Sequence, residues 1–255
     1  MTDSGVRLDI DGPVATVSLC RPDVLNAQTP AMWSELRRIG RELTGDVRLV
    51  LVRGEGRSFS AGLDLTIAQA GDGTEGSFAD LVSLGSDAAA DRIAAYQEAF
   101  SWLTRPDIVS IAAVQGHAIG AGFQLALACD LRVLTSDAQF TMGEIRIGLV
   151  PDLGGTRPLV ELVGYSRAFE ICATGRRVGA DEARAIGLAN LVVPPADLDD
   201  AVRDLAAALL SGARDAVIET KALLRGALAR TPGEQRLAER QAQVRRIRDL
   251  AGLGE

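Results

Sequence analysis

The sequence is poor in the side chains that usually bind metals or carry redox chemistry. Its 255 residues include one histidine, His117, and three cysteines far apart in the chain. There is no CxxC pair, so a zinc site lacks a ligand set and we expect no metal. Cys20, Cys129 and Cys172 lie in apolar runs, and we interpret them as buried free thiols of a protein from a reducing cytoplasm.

Lysine is also scarce, and the 34 acidic residues outnumber the 27 basic ones. Lys221 is the only lysine, and the net charge is −7. Because nucleic-acid binding needs a clustered positive field, this composition argues against a nucleic-acid partner. No apolar run approaches the ~20 residues of a membrane span, and the N-terminus lacks the features of a signal peptide. We therefore expect a cytoplasmic protein with no membrane partner.

The first 150 residues alternate between strand and helix patterns, which predicts a parallel α/β fold. A helix is expected from Thr29-Pro30 to about Leu43, because these residues supply an N-cap and a proline at the first helical position. The strands predicted from apolar alternation or apolar runs are residues 6–10, 14–19, 47–54, 108–114, 131–135 and 139–142.

The last 60 residues have a different pattern. Leu198, Val202, Leu205 and Leu209 recur at helical spacing, so this region is predicted to be helical and amphipathic. We divide the chain into an α/β core with the ligand site, residues 1–195, and a helical oligomerisation region, residues 196–255. The apolar faces of these helices need cover, which favours a sister subunit.

Two stretches place small residues in a turn after a buried strand: SFSAGLDL (58–65) and GHAIGAGFQLALACDLRV (116–133). Three interpretations compete for such turns. The small residues allow close packing, or they cradle a phosphate, or they expose a pair of backbone N–H groups to one oxygen. The phosphate cradle is the weakest, because neither GxGxxG nor GxxxxGK[ST] occurs.

These stretches also carry a family resemblance. The chain resembles the enoyl-CoA hydratase/isomerase (crotonase) family, from about residue 5 to residue 230. The motifs that carry it, in the family's order, are CRPDVLNA (20–27), RSFSAGLDL (57–65), IAAVQGHAIGAGFQLALACDLRV (111–133), QFTMGEIRIGLVPDLGGTRPL (139–159) and ATGRRVGADEARAIGLANLVV (173–193).

The resemblance implies a spiral of ββα units, a helical trimerisation region and acyl-CoA thioester ligands. It also implies that the N–H groups of Leu63 and Ala121 form an oxyanion hole. Many relatives have glycine where this chain has Ala121, but a main-chain donor does not require glycine. Further residues of the two turns are expected to line the substrate: Ala61, Gly62, Asp64, Gly120 and Gly122.

Carboxylates decide which reaction such a site performs. The family's hydratases resemble one another in using two glutamates; one corresponds to Glu144, but Gln124 stands at the position of the other. Glu144 is our first candidate for the base; the alternatives are an exposed loop carboxylate or an ion-pair partner of Arg146. Gln124 orients a ligand or only lines the pocket. Asp152 either caps the following helix or acts as a base, as in related isomerases of phenylacetate degradation.

Arginines are the candidates for binding CoA phosphates. Arg21, Arg57 and Arg157 either serve this purpose or are solvated surface charges. The C-terminus lacks the F-x-E-K-R motif of many relatives, and for its arginines (Arg245, Arg246 and Arg248) a solvated face is favoured over phosphate binding. We interpret His117 as structural.

The resemblance and the single glutamate together predict an enoyl-CoA isomerase, slightly favoured over a 2-enoyl-CoA hydratase. A single base suffices to move a double bond, whereas hydration needs a second group to hold and activate water. Another reaction of the same family and a non-catalytic acyl-CoA-binding protein are the remaining alternatives. A protease of the related fold is disfavoured, because no GxSxG-type nucleophile occurs. We expect no cofactor beyond CoA as the substrate's carrier, and a homotrimer or hexamer.

Overall fold

The computed structural model describes residues 4–71 and 73–253. The strands are β1 (Val6–Asp11), β2 (Val14–Leu19), β3 (Leu49–Gly54), β4 (Val109–Val114), β5 (His117–Ile119), β6 (Leu131–Thr135), β7 (Gln139–Thr141), β8 (Arg177–Gly179) and β9 (Leu191–Val193). The helices are α1 (Pro30–Glu42), α2 (Leu65–Ala68), α3 (Phe78–Ser83), α4 (Ser86–Ser101), α5 (Ala121–Ala128), α6 (Thr156–Val163), α7 (Tyr165–Thr174), α8 (Ala180–Ala185), α9 (Leu198–Ser211), α10 (Arg214–Gly226) and α11 (Pro232–Leu250).

The main sheet has six strands in the order β1-β2-β3-β4-β6-β9. Only the β1–β2 hairpin is antiparallel; every other neighbouring pair in this sheet is parallel. The unbroken apolar runs of β3 and β4 follow from this position, since central parallel strands are covered on both faces. The strands predicted from those runs are confirmed, with ends that differ by no more than two residues.

A second, smaller sheet has the order β5-β7-β8. The strands β5, β8 and β9 were not predicted, and β8 and β9 lie beyond Pro151, where the sequence shows only helical patterns. Each of these three strands has three residues, which is too short for a period of two to be recognised.

Two apolar layers lie on opposite faces of the main sheet. The larger one contains side chains of α1, α4 and α5, including Leu36, Phe100 and Phe123. The smaller one packs Leu198 and Val202 of α9 on the sheet. Thus α9 completes the core of its own chain. Farther along, Leu224 of α10 and Leu228 just beyond it remain 70% and 74% exposed. The helical character of the last 60 residues is confirmed; its assignment to oligomerisation stays a prediction.

The cysteine prediction is wrong in one respect. All three thiols are free, but only Cys129 is buried, while Cys20 and Cys172 are half-buried. Cys20 directly follows the last residue of β2, and Cys172 is on α7, whose outer side chains Tyr165 and Phe169 are exposed. Within the described ranges, none of the helices has the length and apolar character needed to cross a membrane.

Candidate active site

The two small-residue turns lie side by side. A parallel bridge joins Ser60 to Ala118, immediately before each turn. Gly62 then passes so close to the second turn that a Cβ there would be 2.3 Å from the carbonyl oxygen of Ile119. Gly120 has φ +51°, a conformation that favours glycine. Gly62 is therefore required for the close approach of the two backbones, and Gly120 for the conformation of the second turn.

Two N–H groups at this junction are unpaired. Gln28 bonds to the carbonyl of Gly62 and the N–H of Asp64, so the N–H of Leu63 between them points to the opposite side. Ala121 is the first residue of α5, and its N–H has no acceptor within the helix. In the described part of the chain, neither the Leu63 nor the Ala121 N–H donates a hydrogen bond.

No side chain caps the start of α5 in the described structure, because the residue at the cap position is Gly120. The partial positive charge of the helix is therefore directed at the junction. Two unpaired N–H groups at the positive end of a buried helix have the chemistry to bind an oxygen that gains negative charge.

Glu144 brings a carboxyl group to the same point. It begins a 3-10 turn, Glu144–Ile147, that follows β7. A Cβ on Gly120 would be 3.1 Å from Oε1 of Glu144 and 3.5 Å from Oε2, so the carboxyl lies against the open turn. Oε1 accepts a hydrogen bond of 2.7 Å from Nε2 of Gln124. Oε2 is buried and has no partner among the described residues.

Burial raises the pKa of Glu144 above its ordinary value. The hydrogen bond from Gln124 opposes this shift, and the charge of Asp152 adds to it. A carboxyl with a raised pKa and one unpartnered oxygen is suited to accepting a proton from a bound ligand.

Gln124 is 1% exposed and connects two parts of the site. While its Nε2 bonds to Glu144, its Oε1 accepts hydrogen bonds from the N–H groups of Leu153 (2.9 Å) and Gly155 (3.2 Å). A Cβ on Gly155 would be 2.7 Å from Cγ of Gln124, so glycine is needed there. These contacts agree with the interpretation of Gln124 as a hydrogen-bonding residue.

The structure contradicts two of the alternatives considered for the carboxylates. No side chain in the described structure caps α6, so Asp152 is not its cap; the chain between Asp152 and Thr156 contains two glycines and turns before the helix begins. Arg146 donates to the carbonyl of Gly175 (2.7 Å) and forms no ion pair with Glu144 within the described ranges. Burial also raises the pKa of Asp152.

The residues that we expected to bind the substrate have contacts of several kinds within the chain. Arg21 donates to the carbonyl of Ala27 (2.6 Å) and to the carboxylate of Asp64 (2.9 Å). Asp64 in turn caps the short helix α2. A Cβ on Gly122 would be 2.6 Å from the carbonyl oxygen of Ser60, so this glycine also allows close packing. Ala61 is half-buried.

Several arginines already have acidic partners. Arg157 pairs with Glu161 one turn later on α6, Arg245 with Glu219, and Arg246 with Asp215. These ion pairs support the interpretation of the three arginines as solvated surface charges rather than as phosphate-binding residues. His117 is half-buried in β5. No group of three or more His, Cys, Asp or Glu side chains within residues 4–71 and 73–253 is arranged to hold a metal ion.

Sequence reasoning missed two residues that support the site. Gln97 on α4 donates from Nε2 to the carbonyl of Asp152 (2.7 Å), and Gly155 makes room for Gln124. In the sequence, the two glycines before α6, Gly154 and Gly155, indicate a tight turn. Nothing in the sequence linked α4 to a loop 55 residues later.

Comparisons with known proteins identify a family for this chain. A sequence model of the family described as enoyl-CoA hydratase/isomerase matches residues 9–250. The short-chain-enoyl-CoA hydratase of Clostridium acetobutylicum is 33% identical over 227 residues, which are 88% of this chain and 82% of that protein. The carnitinyl-CoA dehydratase of Salmonella enteritidis PT4 is 34% identical over 223 residues, 86% of this chain and 80% of that one.

A solved structure from Thermobifida fusca YX, provisionally named an enoyl-CoA hydratase and in complex with CoA, is 50% identical. The match covers 98% of this chain and 95% of that one, with a TM-score of 0.92. Another structure from the same organism, also 50% identical with a TM-score of 0.92, is a complex with acetoacetyl-CoA; it covers 96% of each chain. The likeness over nearly the whole chain confirms the predicted fold.

Proposed function

The chain belongs to the enoyl-CoA hydratase/isomerase family, and we propose that it removes a proton from the α-carbon of an acyl-CoA thioester and stabilises the resulting enolate at the start of α5. The observation that carries this proposal is the carboxyl of Glu144, which lies against Gly120 with Oε2 buried and unpartnered. The CoA and acetoacetyl-CoA complexes of the Thermobifida fusca proteins support the choice of ligand class.

In this proposal the thioester oxygen binds between the N–H groups of Leu63 and Ala121. Oε2 of Glu144 takes the proton from C2 of the acyl group. The electron pair of that C–H bond forms a double bond between C1 and C2, and the carbonyl pair moves onto the oxygen. Hydrogen bonds and the partial charge of α5 stabilise this oxygen more in the enolate than in the substrate, which is what lowers the barrier.

For the complete reaction we propose double-bond isomerisation. With a 3-enoyl-CoA, Glu144 would return the proton at C4, and the double bond would come to lie between C2 and C3. One carboxyl can perform both transfers, and Oε1 of Glu144 is held by the neutral Gln124 throughout. Polarisation by backbone N–H groups supplies the electrophilic help, so the proposal requires no cofactor, and CoA is only the carrier.

Hydration of a 2-enoyl-CoA is the second candidate. It is favoured by the charge coupling of Asp152 to Glu144 and by burial that raises the pKa of both carboxyls, since hydration uses two acid–base groups. The hydratase and dehydratase names of two relatives point the same way. In this reaction Asp152 would help to hold and activate the water, a role for which Gln124 lacks a carboxylate.

A panel of acyl-CoA esters tests the proposal. Wild-type protein is incubated with 3-enoyl- and 2-enoyl-CoA esters of different chain length and branching, and the products are identified by NMR as shifted double bonds or 3-hydroxy esters. Isomerisation predicts conversion of 3-enoyl-CoA to 2-enoyl-CoA without a hydroxy ester. A protein that binds the panel but converts none of it would be an acyl-CoA-binding protein.

Glu144→Gln is the decisive variant in the same assay. Loss of a general base should reduce turnover by ~10²-fold or more, while the dissociation constant of the ester changes little. Glu239→Gln on the exposed surface of α11 is the control for the chemical change itself. If folded Glu144→Gln keeps its turnover, Glu144 is not the base, and Asp152→Asn identifies whether the role belongs to Asp152.

A further inference from the structure

The helix α5 ends without the usual means of satisfying its last carbonyl groups. Its C-cap residue, Cys129, has φ −74° and ψ 150°, an extended conformation rather than the left-handed one of a glycine cap. The carbonyls of the last turn are buried with the helix, so they need donors from elsewhere in the chain.

Arg132 supplies donors to one carbonyl of the last turn and to the carbonyl of the cap residue. Its side chain is buried, with the residue 3% exposed, and Nη1 donates to the carbonyl of Cys129 (2.8 Å) and to that of Ala126 (3.4 Å). Nε donates to the carbonyl of Leu188 (2.6 Å), which fixes the guanidinium from the other side. The same side chain thus joins the end of α5 to the segment that leads into β9.

Within the described ranges, Arg132 has no carboxylate at ion-pair distance. The nearby Asp130 is engaged by Lys221 (2.7 Å) and by the hydroxyl of Ser110 (3.0 Å). A buried cation without a counter-ion is costly, and burial lowers the pKa of Arg132. The charge of nearby Asp130 and the partial negative charge at the end of α5 both compensate it, since a cation is favourable at a helix C-terminus.

We propose that Arg132 is a positioning residue for the oxyanion site: by holding the C-terminal carbonyls of α5 it fixes the axis of that helix, and so the direction of the Ala121 N–H. The inference rests on the proposed role of Ala121. The helix has eight residues, so its two ends are only about 12 Å apart at 1.5 Å per residue. A small rotation at one end therefore displaces the N–H at the other.

A purely structural role for Arg132 would affect stability alone, and the chain offers a matched control. Arg105 holds the end of α1 in a similar way: its Nη1 donates to the carbonyls of Gly40 (2.9 Å) and Leu43 (3.0 Å). The start of α1 is closed by a side-chain cap and takes no part in the proposed chemistry. Arg105→Lys should therefore weaken a helix end without changing the oxyanion site.

The test measures polarisation of the bound carbonyl directly. Butyryl-CoA labelled with ¹³C at the thioester carbonyl is bound to wild type, Arg132→Lys and Arg105→Lys, and its C=O stretching frequency is recorded by isotope-difference infrared spectroscopy. Wild type and Arg105→Lys should lower the frequency by the same amount, whereas Arg132→Lys should lower it less. Turnover of Arg132→Lys should fall about 10-fold or more, with KM less affected, because misplaced catalytic groups lose transition-state stabilisation.

An Arg132→Lys protein whose bound carbonyl has the wild-type frequency would overturn the inference. A wild type that binds the ester without any shift would overturn the proposed oxyanion site, and the inference with it. If Arg132→Lys does not fold, Arg132→Gln serves as the second variant, because it removes the buried charge and the guanidinium but keeps an amide N–H donor at the same position. A smaller shift than wild type is expected there too, and an unchanged shift contradicts the inference.

Discussion

Helices α1 and α5 end in similar ways and begin in opposite ways. At both C-termini an arginine from a later part of the chain donates to the last carbonyls: Arg105 for α1 and Arg132 for α5. At the start of α1, Oγ1 of Thr29 accepts a hydrogen bond from the N–H of Met32 (3.2 Å). At the start of α5 stands Gly120, which has no side chain to offer.

The difference explains why we propose a binding site at one helix start and not at the other. A buried N–H without a partner costs about 1–3 kcal/mol, so an uncapped start inside a protein is unfavourable unless something binds there. The α1 start is closed and serves the fold alone. The α5 start is open, lies beside the N–H of Leu63, and faces the carboxyl of Glu144.

Ala121→Pro removes the backbone N–H at the open start of α5 and is expected to have the largest effect on catalysis. Proline is accepted at the first position of a helix, as Pro30 of α1 demonstrates, but it removes the N–H. We expect kcat to fall by about 10²–10³-fold, the usual loss for one oxyanion donor. Turnover is measured with the best ester of the panel, and circular dichroism checks the fold. A folded variant with normal turnover would mean that the Ala121 N–H is not a donor.

Gln124→Glu tests the first turn of α5. A carboxylate there would accept from the N–H groups of Leu153 and Gly155 and would be stabilised by the helix dipole. Its other oxygen would lie beside Oε1 of Glu144, so the pair would share a proton and the pKa of Glu144 would rise further.

Because Glu144 acts as a base only when it is deprotonated, isomerisation near pH 7 should then fall by about 10-fold and recover as the pH increases. The measurement is kcat/KM against pH for wild type and Gln124→Glu, with hydration followed in parallel. A gain in hydration would identify Gln124 as the missing second acid of a hydratase. Identical pH profiles for the two proteins would contradict the contact between residues 124 and 144.

Thr29→Ala is expected to have the smallest effect on chemistry. Removing an N-cap typically costs about 1 kcal/mol of stability, which urea denaturation can measure. Turnover of the folded protein should stay at the wild-type value, because the start of α1 has no ligand to bind. A selective loss of kcat in Thr29→Ala would show that the two helix starts are less independent than their contacts indicate.

Local sequence signals were sufficient to predict the start of α1 and the central strands of the main sheet. The pair Thr29-Pro30 predicted where α1 begins, and the long apolar runs predicted β3 and β4. The family resemblance placed Leu63, Ala121, Glu144 and Gln124 in one site, and the structure brings the two turns and the two side chains together.

Contacts between distant segments could not be predicted. The bonds from Gln124 to the Leu153–Gly155 segment span about 30 residues, and the bond from Arg132 to Leu188 spans 56. Such contacts depend on how the elements pack, which no local pattern encodes. The sequence also left open whether Asp152 caps α6; it does not in the described structure, because the chain turns at the two glycines after Asp152 before α6 begins.

The central claim, that the open start of α5 and Glu144 together generate an enolate, can be tested without knowing the natural substrate. Wild-type protein is incubated in D₂O with the saturated acyl-CoA that has the carbon skeleton of the tightest-binding ester of the panel, and deuterium at C2 is followed by NMR. The account predicts exchange well above the buffer rate in wild type and a reduction of ~10²-fold or more in Glu144→Gln, the usual loss for a general base. Exchange that is equally fast in folded Glu144→Gln, or absent from a wild type that binds the ester, would contradict it.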